Sequence, residues 1–222
     1  MKFFLKRLLL FIPILLLTSC FDIIDKANVK ADGSGEYTII LNASKSKTRL
    51  ASISKMEMIN GKKVPKKSEI ENKINEAARI FKATPGISNV KTLVDFDNYI
   101  IKLSCNFKKI ENINAGLEQL KAKNIVGKMV PTQIYSRNPV NKSFTRNKIN
   151  TFKSDYDKLS KADKEVFNEA RYTSVLQFEN TIKSQSNNAY QLSPNRKAVK
   201  LESNVLDFIL QKKQIQNNIL FQ

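Results

Sequence analysis

Residues 90 to 107 read VKTLVDFDNYIIKLSCNF, and this stretch sets the class of fold. Val90, Thr92, Val94 and Phe96 alternate toward a polar turn at Asp95 to Asn98. Tyr99, Ile101, Leu103, Cys105 and Phe107 then alternate back. Period-two spacing places each set on one face of a strand, and the polar break between them predicts an antiparallel hairpin. Upstream, Ser68 precedes Glu71 at capping-box spacing, and Ile70, Ile74, Ala77, Ala78 and Phe81 fall on one helical face. That helix should end near Thr84-Pro85-Gly86. Downstream, a second helix from about Ile110 to Lys123 turns Ile113, Leu117 and Leu120 inward, before Gly127 and Pro131 break the chain ahead of Gln133-Ile134-Tyr135.

Further upstream, residues 29 to 43 place Gly33 and Gly35 in a turn and then alternate Tyr37, Ile39 and Leu41 with polar neighbours, predicting a strand. From Gly35 to Tyr135 the order is therefore strand, helix, strand, strand, helix, strand. This is a split βαβ, or ferredoxin-like, arrangement: an antiparallel sheet with two helices on one face. Residues 136 to 158 read as a lysine- and asparagine-rich connection. Beyond it come a short helix at Ser160 to Ala170, a strand in Arg171 to Ser184, a strand at Ala198 to Glu202, a short helix at Asn204 to Leu210, and a final strand marked by Ile215, Ile219 and Phe221. The expected class is α+β. An α+β domain at 29–135 is followed by a β-rich C-terminal region at 136–222, which is either a second domain or part of the same one.

The 222 residues are 41% hydrophobic and 26% charged, which suits a folded chain. There is no histidine, and this removes imidazole-based acid/base catalysis, Ser-His-Asp triads and imidazole metal sites together. Two cysteines cannot hold a zinc cluster, so no metal and no cofactor are expected. Cys105 lies in the apolar phase of its strand and reads as a buried structural thiol. Ser44 to Lys47 and Ser52 to Lys55 both satisfy Ser-x-x-Lys, but no companion Lys-Thr-Gly follows and 31 lysines make chance hits common. Asp95 with Asp97, and Asp155 with Asp157, could pair carboxylates, yet both fall in turn-like sequence where Asp serves the backbone. Gly33-Ser34-Gly35 lacks the Lys-Ser/Thr end of a phosphate loop and leads into a strand. The chain is expected to be non-enzymatic.

The N-terminus carries the sharpest signal. Lys2, Lys6 and Arg7 precede ten apolar residues from Leu8 to Leu17. As a helix this run spans roughly 15 Å, about half a hydrocarbon core, so it is an export signal rather than a membrane anchor. It ends in Leu17-Thr18-Ser19-Cys20. This stretch resembles the lipobox of bacterial lipoproteins. The resemblance implies that residues 1–19 are a signal peptide cleaved between Ser19 and Cys20, that Cys20 is lipidated, and that 20–28 are anchor and linker. The body would then be held on a membrane, facing the periplasm or the cell surface.

Two weaker resemblances follow. The helix, Pro85-Gly86-Ile87 and the next strand resemble the matching stretch of heavy-metal-associated domains, but the cysteine pair of those domains is absent, so metal transfer does not carry over. GSGEYTIIL at the start of the body and FENTIKSQSNNAYQLSPNRKAVKLE near its end resemble the LppM-like lipoprotein domains. That resemblance implies an anchored, non-enzymatic, β-rich domain for which contact with glycolipid or envelope lipid is a role.

The formal charge is +18, of which the leader supplies three, leaving +15 on the body. Lys62, Lys63, Lys66 and Lys67 flank Val64-Pro65 and form the densest cluster, a candidate site for an anionic lipid, glycolipid or envelope polymer. The bias toward lysine over arginine also fits a merely solvated basic surface. Nucleic acid is not an expected partner, because the export signal and the lack of interleaved aromatics both argue against it.

Overall fold

A computed structural model describes residues 21–59, 61–127, 130–149 and 152–222; the expected signal peptide and its Ser19-Cys20 junction lie outside the described residues. In chain order the elements are β1 (Asp22–Val29), β2 (Gly35–Asn42), a 3-10 turn (Ser44–Ser46), α1 (Lys47–Ile53), β3 (Met58–Ile59), β4 (Lys62–Lys63), α2 (Lys67–Ala83), β5 (Ile87–Asp95), β6 (Ile100–Phe107) and α3 (Glu111–Ala122). There follow β7 (Tyr135–Asn138), β8 (Ser143–Arg146), α4 (Lys153–Asp157), α5 (Lys161–Glu165), β9 (Arg171–Phe178), β10 (Ile182–Gln185), β11 (Gln191–Leu192), β12 (Ala198–Asn204), α6 (Val205–Ile209) and β13 (Asn217–Phe221). The class is α+β, as expected.

A seven-stranded sheet runs β11-β12-β9-β1-β2-β6-β5, a four-stranded sheet runs β10-β13-β8-β7, and β3-β4 is a small hairpin. All pairings are antiparallel except β1 with β9. Strands from both sides of residue 135 therefore share one sheet. Five of the six split-βαβ elements are present: β2, α2, β5, β6 and α3, with the strand order β2-β6-β5. The fourth strand is the exception. Gln133 to Tyr135 lead into β7, which joins the four-stranded sheet, and the place beside β2 is taken by β1.

Residues 20–28, expected as anchor and linker, are thus strand from Asp22 onward. β1 pairs over its full eight residues with β2 on one side and β9 on the other. The tight Gly33 turn, with φ at +92°, lets β1 fold straight back onto β2, and such a local hairpin closes at far lower entropic cost than a strand arriving from residue 135. Its sequence was hard to read because a charge, Asp25, stands in phase with Ile23, Ala27 and Val29. The connection expected at 136–158 likewise contains β7, β8 and α4. Their short runs, polar on one face, carry too few apolar residues to show a period.

Register puts one residue set on one face of the large sheet. Ala27, Val29, Tyr37, Leu103, Cys105, Phe107, Leu176, Phe178, Val199 and Leu201 are all buried there. Over β2, β6 and β5 this face is covered by Ala77, Ile80 and Phe81 of α2 and Ile113 and Leu120 of α3. Gly116 of α3 lets the two helices approach: a Cβ there would stand 3.1 Å from the Phe81 ring. Over β1, β9 and β12 the four-stranded sheet supplies the cover through interlocking rings. Tyr135 meets Phe144 at 5.6 Å, and Phe178 meets both Phe144 and Phe221 at 5.0 Å.

Helix α2 starts two residues earlier than the Ser68 spacing predicts. Its N-cap is Lys66, whose backbone N–H donates to Glu69 Oε2 at 2.9 Å. Ser160 caps α5 as expected, its hydroxyl accepting from Asp163 N–H at 3.1 Å. Among the described residues, no helix is long and apolar enough to cross a membrane.

Candidate functional site

The end of the large sheet at which β1 begins organises two apolar cavities. One inward-facing residue per strand forms a continuous row there: Ser203 pairs with Tyr172, Tyr172 with Ile23, Ile23 with Leu41, Leu41 with Ile101, and Ile101 with Val94. At about 4.8 Å per strand the row is about 24 Å wide. The cover described above stops short of it. In the C-terminal half of α2 Ala77, Ala78, Ile80 and Phe81 are buried, whereas Ile70 and Ile74 in its first half are only half-buried.

The larger cavity, 520 Å³, lies over the Leu41, Ile101 and Val94 part of the row. Its walls are Leu50 and Ile53 of α1, Val64 and Pro65 after β4, Ile70 of α2 and Phe96; Lys66 and Lys67 stand at its rim, and Asp95 also lines it. Lys67 Nζ sits 5.2 Å from the centre of the Phe96 ring. The smaller cavity, 340 Å³, lies over Ile23 and Tyr172, and is closed by Ile149, Phe152, Phe208, Ile209 and Ile215 with Lys148 and Lys213 alongside. Apolar walls with a few cations at the mouth suit a ligand with a hydrocarbon part and an anionic part.

Beside the smaller cavity a charged cluster is sealed between the sheets. Asp25 Oδ1 accepts from the Tyr135 hydroxyl at 2.7 Å, and Oδ2 accepts from the Tyr172 hydroxyl at 2.7 Å and from Arg146 Nη2 at 3.3 Å. Arg146 also donates to the Ile134 carbonyl at 2.9 Å and lies 4.9 Å from the Tyr135 ring centre. Both charged residues are buried. Burial raises the hydroxyl pKa of Tyr135, Tyr172 and Tyr37, with the Asp25 charge adding to it, so all three stay protonated donors. Burial alone would lower the Arg146 pKa; the oxygens of Tyr172, Tyr135 and Asp25 around it reverse the sign and hold it above its ordinary value. The cluster is a structural clamp that ties β1 and β9 of the large sheet to β7 and β8 of the smaller one. The signal for it in the sequence was the charge of Asp25 amid apolar alternation, and Arg146 two residues after Phe144.

Each of the four lysines of the densest cluster has a neighbour of its own. Lys62 Nζ pairs with Asp163 at 2.8 Å and Lys63 Nζ with Glu69 at 2.8 Å, while Lys66 caps α2 and Lys67 lies over Phe96. The other candidates are dispersed. Ser52 Oγ donates to the Thr48 carbonyl within α1. Asp95 accepts from the backbone N–H of Asp97 and Asn98 and from Asn98 Nδ2, so it shapes the β5–β6 turn. Those bonds hold its carboxyl below the usual range. Asp157 pairs with Lys153 on exposed α4. Among the described residues no three Cys, Asp or Glu side chains gather as a metal site. Cys105 is buried, and desolvation pushes its thiol up to about 12.

The fold is thus that of an α+β protein with a broad sheet, half covered by helices and half by a second sheet. Among solved structures it is similar to the NMR structure of the folded domain of the Mycobacterium tuberculosis LppM protein, with 10% identity, 91% of each chain covered and a TM-score of 0.42. No family model and no curated protein matches the chain. At 10% identity, residue roles do not transfer between the two chains.

Proposed function

We propose that this chain is a non-enzymatic envelope lipoprotein, cleaved between Ser19 and Cys20 and held on its membrane by lipid on Cys20, that acts as a binding component of the extracytoplasmic face. Its ligand is an anionic lipid, glycolipid or lipid-linked envelope polymer, with the hydrocarbon in the larger cavity and the anionic group at Lys66 and Lys67. The observation that carries this reading is the pairing of apolar walls from Leu50, Ile53, Ile70 and Phe96 with two lysines at the rim.

A non-catalytic role is supported by the absence of histidine and by the employment of Ser52 and Asp95 in local backbone bonding. The test is photo-crosslinking in membranes with a phosphatidic acid carrying a diazirine in its acyl chain. Label should map to peptides containing Leu50 to Ile53 and Ile70, and Ile70→Glu should reduce it about fivefold or more, the effect of about 1 kcal/mol. Replacing Lys66 and Lys67 by Gln should weaken labelling by phosphatidic acid but not by a diacylglycerol probe. Label confined to other peptides would overturn the cavity assignment.

A further inference from the structure

The segment from Ser44 to Lys67 contains eight basic residues and one acid, Glu57. Its described residues fold as a flap of α1, β3 and β4 over the end of the large sheet. The flap also exposes two large apolar side chains, Met56 at 50% and Met58 at 55%. Cations mixed with exposed apolar side chains are the pattern of a segment that lies in a membrane interface.

Its position gives the pattern a partner. Lys45 Nζ of the flap lies 3.3 Å from Asp22 Oδ2, at the first residue of β1. Asp22 is two residues beyond Cys20, a span of at most about 7 Å of extended chain. A headgroup layer is itself about 5–7 Å deep on each side of the hydrocarbon. A lipid on Cys20 therefore brings this end of the sheet, and the flap with it, to the bilayer surface. The lysines that carry ion pairs there, Lys45, Lys62 and Lys63, keep more than half of their side-chain surface exposed.

We infer that the flap is a membrane-docking element: its basic side chains bind the anionic headgroups of the bilayer that holds the anchor, Met56 and Met58 enter the interface, and the larger cavity consequently faces that bilayer. Lipid then reaches the cavity from the membrane without crossing water. The anchor and the flap act as two signals, so the protein is held in one orientation rather than swinging on its tether.

The inference rests on the Cys20 anchor, and the experiment reads the two separately. The chain has no tryptophan, so single-tryptophan variants report one position each. Met58→Trp is placed in the flap. Val140→Trp, in the β7–β8 turn at the far end of the sheet, is the control, at a position 89% exposed. Each variant is extracted from membranes and reconstituted into vesicles containing lipid brominated along its acyl chains, either neutral or containing phosphatidylglycerol. Met58→Trp fluorescence should be quenched at least twofold in anionic vesicles, return to the neutral-vesicle level in about 0.5 M salt, where the Debye length is only a few ångströms, and return likewise when Lys62, Lys63, Lys66 and Lys67 are all changed to Gln. Val140→Trp should show no quenching. Met56→Trp is the second flap probe should the first disturb the β3–β4 hairpin. A lipidated protein whose flap tryptophan is unquenched, or is quenched equally by neutral lipid at any salt, overturns the docking element; an intact mass without lipid overturns the anchor instead.

Discussion

Asp25 and Arg146, 121 residues apart in sequence, meet at 3.3 Å in the space between the two sheets. The contact ties β1 of the large sheet to β8 of the four-stranded sheet. Each partner is further committed: Asp25 to the hydroxyls of Tyr135 and Tyr172, Arg146 to the Ile134 carbonyl. A charge in that position is tolerable only because its partners are fixed around it.

Arg146→Met removes the cation and leaves the Asp25 carboxylate buried. A loss of about 3–5 kcal/mol in urea unfolding is expected. Changing Asp25 to Leu as well should recover part of that loss, because no uncompensated charge then remains. A double variant no more stable than Arg146→Met would show that packing, not charge, dominates.

Asn114 of α3 holds the start of β7 in place. Its Oδ1 accepts from the N–H of Ile134 and of Tyr135 at 3.0 and 3.2 Å, and its Nδ2 donates to the Tyr135 carbonyl at 2.6 Å. Asn114→Ala strands buried backbone groups and should cost about 1–3 kcal/mol. Faster hydrogen exchange at Ile134 and Tyr135 than elsewhere in the core would locate the effect.

Gly35 opens β2 against the Asn28 carbonyl of β1. A Cβ at Gly35 would lie 1.9 Å from that oxygen and 2.7 Å from the Phe107 ring. Gly35→Ala must therefore push β1 and β2 apart, and a loss of about 1–3 kcal/mol is expected in thermal or urea unfolding. An unchanged midpoint would contradict the packing described for this hairpin.

Cys105 should not react with iodoacetamide at pH 8 in the folded protein, and should react once the chain is unfolded in urea. Its thiol pKa is raised from the ordinary 9.0 to about 12 by desolvation. The sign follows directly: the stability contributed by keeping the proton is complete below pH 9.0 and is lost as pH rises toward about 12. Stability should accordingly fall on that alkaline limb, and less so in Cys105→Ala.

The mature protein should have lost residues 1–19 and gained at least a diacylglycerol on Cys20. Intact mass of the membrane-extracted protein beside a Cys20→Ala variant measures both changes at once. An unmodified wild-type mass would remove the anchor and with it the membrane setting.

Local pattern made much of the fold legible. Alternation marked β2, β5, β6, β12 and β13, and spacing of apolar residues marked α2 and α3, because a side chain's face depends on periods of 2 and 3.6 residues that are written along the chain. β1 escaped because Asp25 broke its apolar phase, and β7 and β8 escaped because strands of four residues show too little of any period. The lysines at 62, 63, 66 and 67 were legible as a cluster, though not the place of Lys66 and Lys67 at the rim of a cavity.

What sequence alone determined about this protein is the α+β class of its elements and the missing imidazole chemistry, and what it led us to expect is lipid on Cys20. Tertiary structure decided which strand lies beside β2, where the charge of Asp25 is compensated, and that Ile23, Leu41 and Ile101 line up to floor two cavities at the N-terminal end of the sheet. Those relations depend on strand register and on contacts more than a hundred residues apart, for which no local free energy exists until the sheets have closed.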